Sequence, residues 1–174
     1  MQALEFWKTV TVDHANLLES LIGLLNGHGV KYCVIGGQAV NAYAEPLVSL
    51  DLDLVIAAQD LERVKAILGG QFSIEEFSHS INLSSKQSDL RVQIQTDLRY
   101  LDYPERATRR QVLGLTLPVA SLEDLLQGKI WAASDAERRA TKRQKDLLDI
   151  ARLIERYPQL RERVPEELLK RMAF

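Results

Sequence analysis

The chain has 174 residues, of which 46% are hydrophobic and 26% charged, with a net charge of −2; this is ordinary globular composition and excludes a global basic field for nucleic acid, though not a local basic face. One cysteine, Cys33, excludes an internal disulfide and a zinc site built on several thiolates, and suits a reducing, cytoplasmic setting. Glu5, Lys8, Asp13 and Glu19 break any signal-peptide core, and no run approaches the ~20 apolar residues of a membrane span.

From residue 14 to 28, Ala15, Leu17, Leu18, Leu21, Ile22, Leu24 and Leu25 recur at helical spacing, with Gly27 and Gly29 as the stop. Val30 to Ile35 reads as a buried strand that ends in Gly36-Gly37, and Gln38 to Ala44 as a short helix stopped by Glu45-Pro46. Asp51 to Ala57 alternates acids with leucines and reads as a strand; Asp60 to Leu68 reads as the amphipathic helix after it. Three β-like pieces follow at 72–77, 80–84 and 90–96, then a strand-like segment at 112–119.

Ser121-Leu-Glu-Asp124 is a capping sequence that opens a helical last third, with helices expected over 121–134, over 137–156 and from Pro165 onward. The expected class is α+β: a mixed sheet flanked by helices, with residues 1–120 as the core and the helices of 121–174 packed on it as one domain overall.

Two features carry chemistry. Gly36-Gly37 at a strand-to-helix junction lets a ligand approach the backbone, whose unpaired N–H groups favour an anion. Asp51 and Asp53, two residues apart on a strand, put both carboxylates on one face, about 6–7 Å apart at the backbone. Such a pair can converge on a hard cation such as Mg²⁺, which takes one or two carboxylates plus substrate phosphates. The surrounding Leu50-Asp-Leu-Asp-Leu-Val-Ile is too apolar for a fully wetted strand.

Val34-Ile35-Gly36-Gly37, then thirteen residues, then Asp51-Leu52-Asp53-Leu54 resembles the signature of the polymerase β-like nucleotidyltransferase superfamily. Ser49 stands where that signature often has Ser or Thr. Lys129 and the run from Lys142 to Ile150 extend the resemblance to the compact bacterial branch with AbiEii-type toxins, over roughly residues 30–155. The resemblance implies the nucleotidyltransferase fold, with Gly36, Gly37 and Ser49 on the triphosphate. It puts Asp51 and Asp53 on Mg²⁺ or Mn²⁺ as catalytic and metal-binding residues, and Lys129 and Lys145 near the phosphates. The implied reaction moves an NMP group from a nucleoside triphosphate to a protein or RNA hydroxyl, in a toxin-like role with a cognate antitoxin and no membrane partner.

The chain departs from that pattern at two places. The third carboxylate, expected on a later strand, falls on Gln93, which brings no charge and cannot act as a base; Leu47 replaces a common Arg. A nucleotidyltransferase-fold protein that binds a nucleotide or partner without chemistry is therefore the alternative. Arg91, Gln93, Gln95 and Asp97 form a polar strand face suited to lining a pocket. Arg138, Lys142 and Lys145 share one helical side, either solvated or facing ligand. Asp146 and Asp149 read as structural partners of neighbouring Arg or Lys. His14, His28 and His79 have no ligand spacing, Trp7 and Trp131 read as packing residues, and Tyr100 and Tyr103, after the Gln-rich strand, read as packing residues or as flanks of a pocket.

Overall fold

Strong alternation over Asp51-Leu-Asp-Leu-Val-Ile sets the centre of the molecule: Leu52, Leu54 and Ile56 are fully buried on one sheet face while Asp51 and Asp53 project from the other. The computed structural model describes residues 3–11 and 16–172. Its strands are β1 (Tyr32–Ile35), β2 (Asp51–Ile56), β3 (Ser73–Glu76), β4 (Ser80–Ser85), β5 (Ser88–Gln95), β6 (Thr108–Val112) and β7 (Leu115–Val119). They form a seven-stranded sheet in the order β3-β4-β5-β2-β1-β7-β6. It is mixed: β2 with β5 and β1 with β7 are parallel, and the remaining pairs antiparallel.

The helices are α1 (Ala3–Thr11), α2 (Leu17–Gly27), α3 (Gly36–Asn41), α4 (Leu61–Leu68), α5 (Tyr103–Arg106), α6 (Leu122–Ser134), α7 (Ala140–Arg156) and α8 (Glu166–Arg171). The apolar face of β2 lies in register with Val92 and Ile94 of β5 and with Tyr32 and Val34 of β1. Buried Leu18, Leu21 and Leu25 of α2 belong to the same core, where α2 meets α4 and β5. Each such leucine is worth roughly 1.5–3 kcal/mol of burial, so this layer fixes the register of β2 and with it the direction of both acids. Helices α6 and α7 pack on each other on the side of the acids.

The expected start of the first C-terminal helix is met, and that of the last is shifted by one residue. The Ser121 hydroxyl caps α6 by accepting the Asp124 N–H at 3.2 Å. Pro165 stands just outside α8, at its N-cap, and not inside its first turn. Two expectations are corrected. The segment 112–119 is not one strand: Leu113 and Gly114 have φ of 54° and 82°, and this turn joins β6 to β7 as a hairpin. Positive φ at both central residues is the hairpin geometry that matches strand twist. The short helix begins at Gly36 itself, so the diglycine is inside α3 rather than before it. His14 lies outside the described residues, as does the side chain of Trp7. Among the described residues, no helix is long and apolar enough to cross a membrane.

Candidate active site

Ile35, the last residue of β1, pairs with Asp53 across the antiparallel β1–β2 ladder, so the next residue lies against that acid. Gly36 has φ +71°, and a Cβ there would stand 2.9 Å from Asp53 Cγ and 3.0 Å from its Cβ, with the Asp53 Oδ2 closer still. A Cβ on Gly37 would meet the Ser49 hydroxyl oxygen at 3.0 Å. The two glycines thus serve two neighbours, one the acid and the other the loop that precedes it.

That loop, Glu45 to Leu50, is tied down by three side chains. Buried Gln38 donates to the Ser49 carbonyl at 2.7 Å. Asn41 donates to the Leu47 carbonyl at 2.7 Å and accepts the Leu47 N–H at 3.0 Å. From α7, Arg152 donates to Asn41 Oδ1 at 2.7 Å and to the Glu45 carbonyl at 2.6 Å. Leu47, in the place of the expected Arg, is exposed.

The two acids differ in setting. Asp51 Oδ1 pairs with Arg91 Nε at 2.9 Å, and its Oδ2 lies 3.8 Å from Lys142 Nζ. Burial pushes the Asp53 carboxyl up to about 6; the charge of Asp51 adds to this, while Lys129, Lys142 and Arg138 oppose it. Across the parallel β2–β5 ladder Asp53 sits beside Gln93, which pairs in turn with Asn82 of β4. The position next to Asp53 is therefore an amide, as the sequence implied.

Above the acids, Lys129 of α6 is a largely buried cation, its side chain 12% exposed. Its Nζ lies 3.1 Å from Asp146 Oδ1 and 2.8 Å from Asp149 Oδ2. Burial works against its charge, but Asp149 and Asp146 outweigh it and hold the ammonium above its ordinary pKa. Arg138 Nε bonds Asp146 at 2.6 Å, and Arg152 Nη1 bonds Asp149 at 2.8 Å. Asp146 and Asp149 are thus partners of Lys and Arg, as expected. Arg138, however, precedes α7 and reaches Asp146 from the connecting segment, so it does not share a helical side with Lys142 and Lys145.

A cleft of about 390 Å³ is lined by Gly37, Ser49, Asp51, Asp53, Lys129 and Lys145, together with Arg91, Arg138 and Lys142. Asp53 stands where this cleft branches. One branch, about 560 Å³, runs over β4 and β5 past Asn82, Arg91, Gln93 and Arg139. The other is a chamber of about 100 Å³ bordered by Gly36, Gln93, Gln95, Tyr100 and Tyr103. Asp97 lies apart: it caps the turn after β5 and is held by Arg99 at 3.0 Å, which keeps its carboxyl below the usual range. Strand β5 ends at Gln95, and so the polar row stops two residues short of it.

Sequence reasoning missed several residues of this site. Gln38 and Arg152 carry no motif, since their role is to hold backbone far away in sequence. Tyr100 and Tyr103, which the sequence leaves between packing and flanking a pocket, are both buried and both border the chamber. The basic run at 138–145 was the one visible signal for Arg138 and Lys142.

Among the described residues there is no group of three or more His, Cys, Asp or Glu placed to hold a metal ion. The donor set at the branch point is two carboxylates on one face, backed by the space that Gly36 leaves for Asp53. That set fits one Mg²⁺ or Mn²⁺ completed by phosphate oxygens, and does not provide for a second ion.

The sequence matches the family described as "Nucleotidyl transferase AbiEii toxin, Type IV TA system" over residues 36–174. A comparison with curated proteins finds no match. Among solved structures, ANT(2″)-Ia in complex with adenylyl-2″-tobramycin superposes with a TM-score of 0.62 at 14% identity, covering 90% of this chain and 97% of that one. The lincomycin-bound lincosamide antibiotic adenylyltransferase LnuA gives a TM-score of 0.54 at 18% identity, covering 78% and 93%. At such identities the likeness is one of fold, and it is the nucleotidyltransferase fold. With the family matched over most of its length, this chain belongs to the AbiEii nucleotidyltransferases.

Proposed function

We propose that this protein moves an NMP group from a nucleoside triphosphate to a hydroxyl of a protein or RNA acceptor, using Mg²⁺ or Mn²⁺ held by Asp51 and Asp53. In this reading it acts in the cytoplasm in a toxin-like role beside a cognate antitoxin. The observation that carries the reading is the contact of Gly36 with Asp53 at the branch of a cleft lined by Lys129, Arg138, Lys142 and Arg91. Residues 1–120 and 121–174 work as one unit here, because the acids come from the first part and three of those cations from the second.

Gly36, Gly37 and Ser49 cradle the triphosphate, and Lys129 and Lys145 lie along it. Lys142 and Arg91 meet Asp51 now and turn to phosphate oxygens once a nucleotide is present. The divalent cation, when bound, neutralises charge on the phosphates. The acceptor oxygen forms a bond to the α-phosphorus as the bond to the bridging oxygen of the β-phosphate breaks. Pyrophosphate leaves, and the hydroxyl proton goes to water, since Gln93 cannot take it.

A second reading, binding of a nucleotide or partner without transfer, rests on Gln93 beside Asp53. The two separate when the protein is incubated with each α-labelled NTP, Mg²⁺ or Mn²⁺ and cell extract. Transfer that is lost in Asp51→Ala/Asp53→Ala supports the enzyme. Transfer that persists in the double variant rules out this site, and nucleotide binding without transfer favours the second reading.

A further inference from the structure

Asp51 and Asp53 of β2 and Arg91 and Gln93 of β5 form a square on one face of the sheet, with Asp51 in register with Arg91 and Asp53 with Gln93. Adjacent strands lie about 4.8 Å apart, so the four side chains converge on one place. A second divalent ion, about 3.5–4 Å from the first, needs carboxylates on its far side as well. Here β5 answers the two acids with a guanidinium and an amide, and neither can hold a cation by charge.

Arg91 already stands on that side of Asp51. Its Nε lies 2.9 Å from Asp51 Oδ1, while Lys142 approaches the other oxygen, Oδ2, from α7 at 3.8 Å. The Arg91 side chain is 68% exposed, and it borders both the cleft of about 390 Å³ and the branch over β4 and β5. A pair so exposed is weak, which leaves the guanidinium free to pass from the carboxylate to a phosphate. Its planar fork suits two oxygens of one phosphate in a way that an ammonium does not.

Charge balance points the same way. Six cations line the cleft (Arg91, Lys129, Arg138, Lys142, Lys145 and Arg152), against the four carboxylates of Asp51, Asp53, Asp146 and Asp149. A triphosphate brings roughly four negative charges near neutral pH. One divalent ion, with the cationic excess of the cleft, balances it, and a second would leave the loaded cleft positive. We infer that Arg91 is a catalytic residue that takes the place of a second divalent ion. With a nucleotide bound, its guanidinium leaves Asp51 and grips the α-phosphate, and the centre holds one metal ion. This role rests on the transferase reading given above. It also gives Gln93 a purpose, since an acid there would compete for the guanidinium that a neutral amide leaves free.

Equilibrium dialysis of the full-length protein with Mn²⁺ and inorganic tripolyphosphate tests this without acceptor or base, by counting both per chain. Wild type is expected to keep one Mn²⁺ for each tripolyphosphate. Arg91→Gln keeps that count but binds tripolyphosphate about tenfold more weakly. Pyrophosphate, which lacks the third phosphate that Arg91 grips, is bound equally by the two proteins. A merely structural Arg91 would change Tm and leave both affinities alone. Gln93→Asp/Arg91→Ala, with the acid supplied and the cation removed, takes up a second Mn²⁺. Two Mn²⁺ in wild type, undiminished tripolyphosphate binding in Arg91→Gln, an equal loss for pyrophosphate, or a single Mn²⁺ in the double variant overturns the role of Arg91 while leaving Asp51 and Asp53 as metal ligands. Wild type that keeps no Mn²⁺ with tripolyphosphate overturns the transferase reading as well, so the two failures are told apart.

Discussion

Gly36 and Asp53 fit together as backbone and side chain of one feature: at φ +71° the glycine leaves the space that the Asp53 carboxylate occupies. Alanine at 36 forces either the strand end or the acid to move. Left-handed backbone costs a residue with a Cβ roughly 1–2 kcal/mol before any clash is counted. Gly36→Ala is expected to lower Tm by several degrees and to reduce transfer at least a hundredfold; a calorimetric scan beside the labelled-NTP assay checks both.

Asp53 gives a pH signature. Its folded pKa is near 6, above the ordinary 3.8, so the folded state holds the proton more tightly than the unfolded chain. The Asp53 contribution to stability is full below pH ~4 and is lost as pH rises through ~6, because the carboxylate must then be charged in place. Asp53→Asn should stabilise the metal-free protein at pH 7.5 by on the order of 1–3 kcal/mol, discounted for partial solvent contact, and by nothing at pH 3.5. Urea denaturation at the two pH values reads this difference.

Lys129 is the cation whose removal leaves the largest imbalance. Both of its acids are buried, with Asp146 at 1% and Asp149 at 9% exposure. Arg138 and Arg152 remain as partners, which puts the cost at the lower end of the range for a broken buried pair, about 3 kcal/mol. Lys129→Met is therefore expected to lower the denaturation midpoint markedly. Lys145→Met, at an exposed position of the cleft, leaves it within about 0.5 kcal/mol of wild type.

Much of this site was readable because its parts are local. Gly36-Gly37 and Asp51-Leu-Asp mark themselves by residue type and period, and Ser121 announces α6 by its cap. What the sequence hid was set by distance. The pairing of Asp53 with Gln93 arises from the β2–β5 register, and the chamber from α6 lying over β5 and the tyrosines. Arg138 was misplaced because a helical wheel assumes a helix, and α7 starts only at Ala140. The β6–β7 hairpin was missed since Leu113 at its tip, at φ 54°, is not a residue that advertises a turn.

Arg152 couples α7 to the loop that carries Ser49, through Asn41 and the Glu45 carbonyl. Arg152→Ala removes three hydrogen bonds, one of them to Asp149. Hydrogen exchange of the amides from Leu47 to Leu50 should speed up at least tenfold, while those of β2 beyond Leu52 keep their protection. The apparent affinity for NTP should weaken in parallel.

In the proposed transfer, Asp51 and Asp53 act at the α-phosphorus. With NTP labelled at either the α- or the γ-phosphate, the wild-type protein should place only the α-label on the acceptor, and Asp51→Asn or Asp53→Asn should reduce that transfer by a factor of at least a thousand. Transfer of the γ-label, or α-label transfer undiminished in the Asn variants, would contradict it.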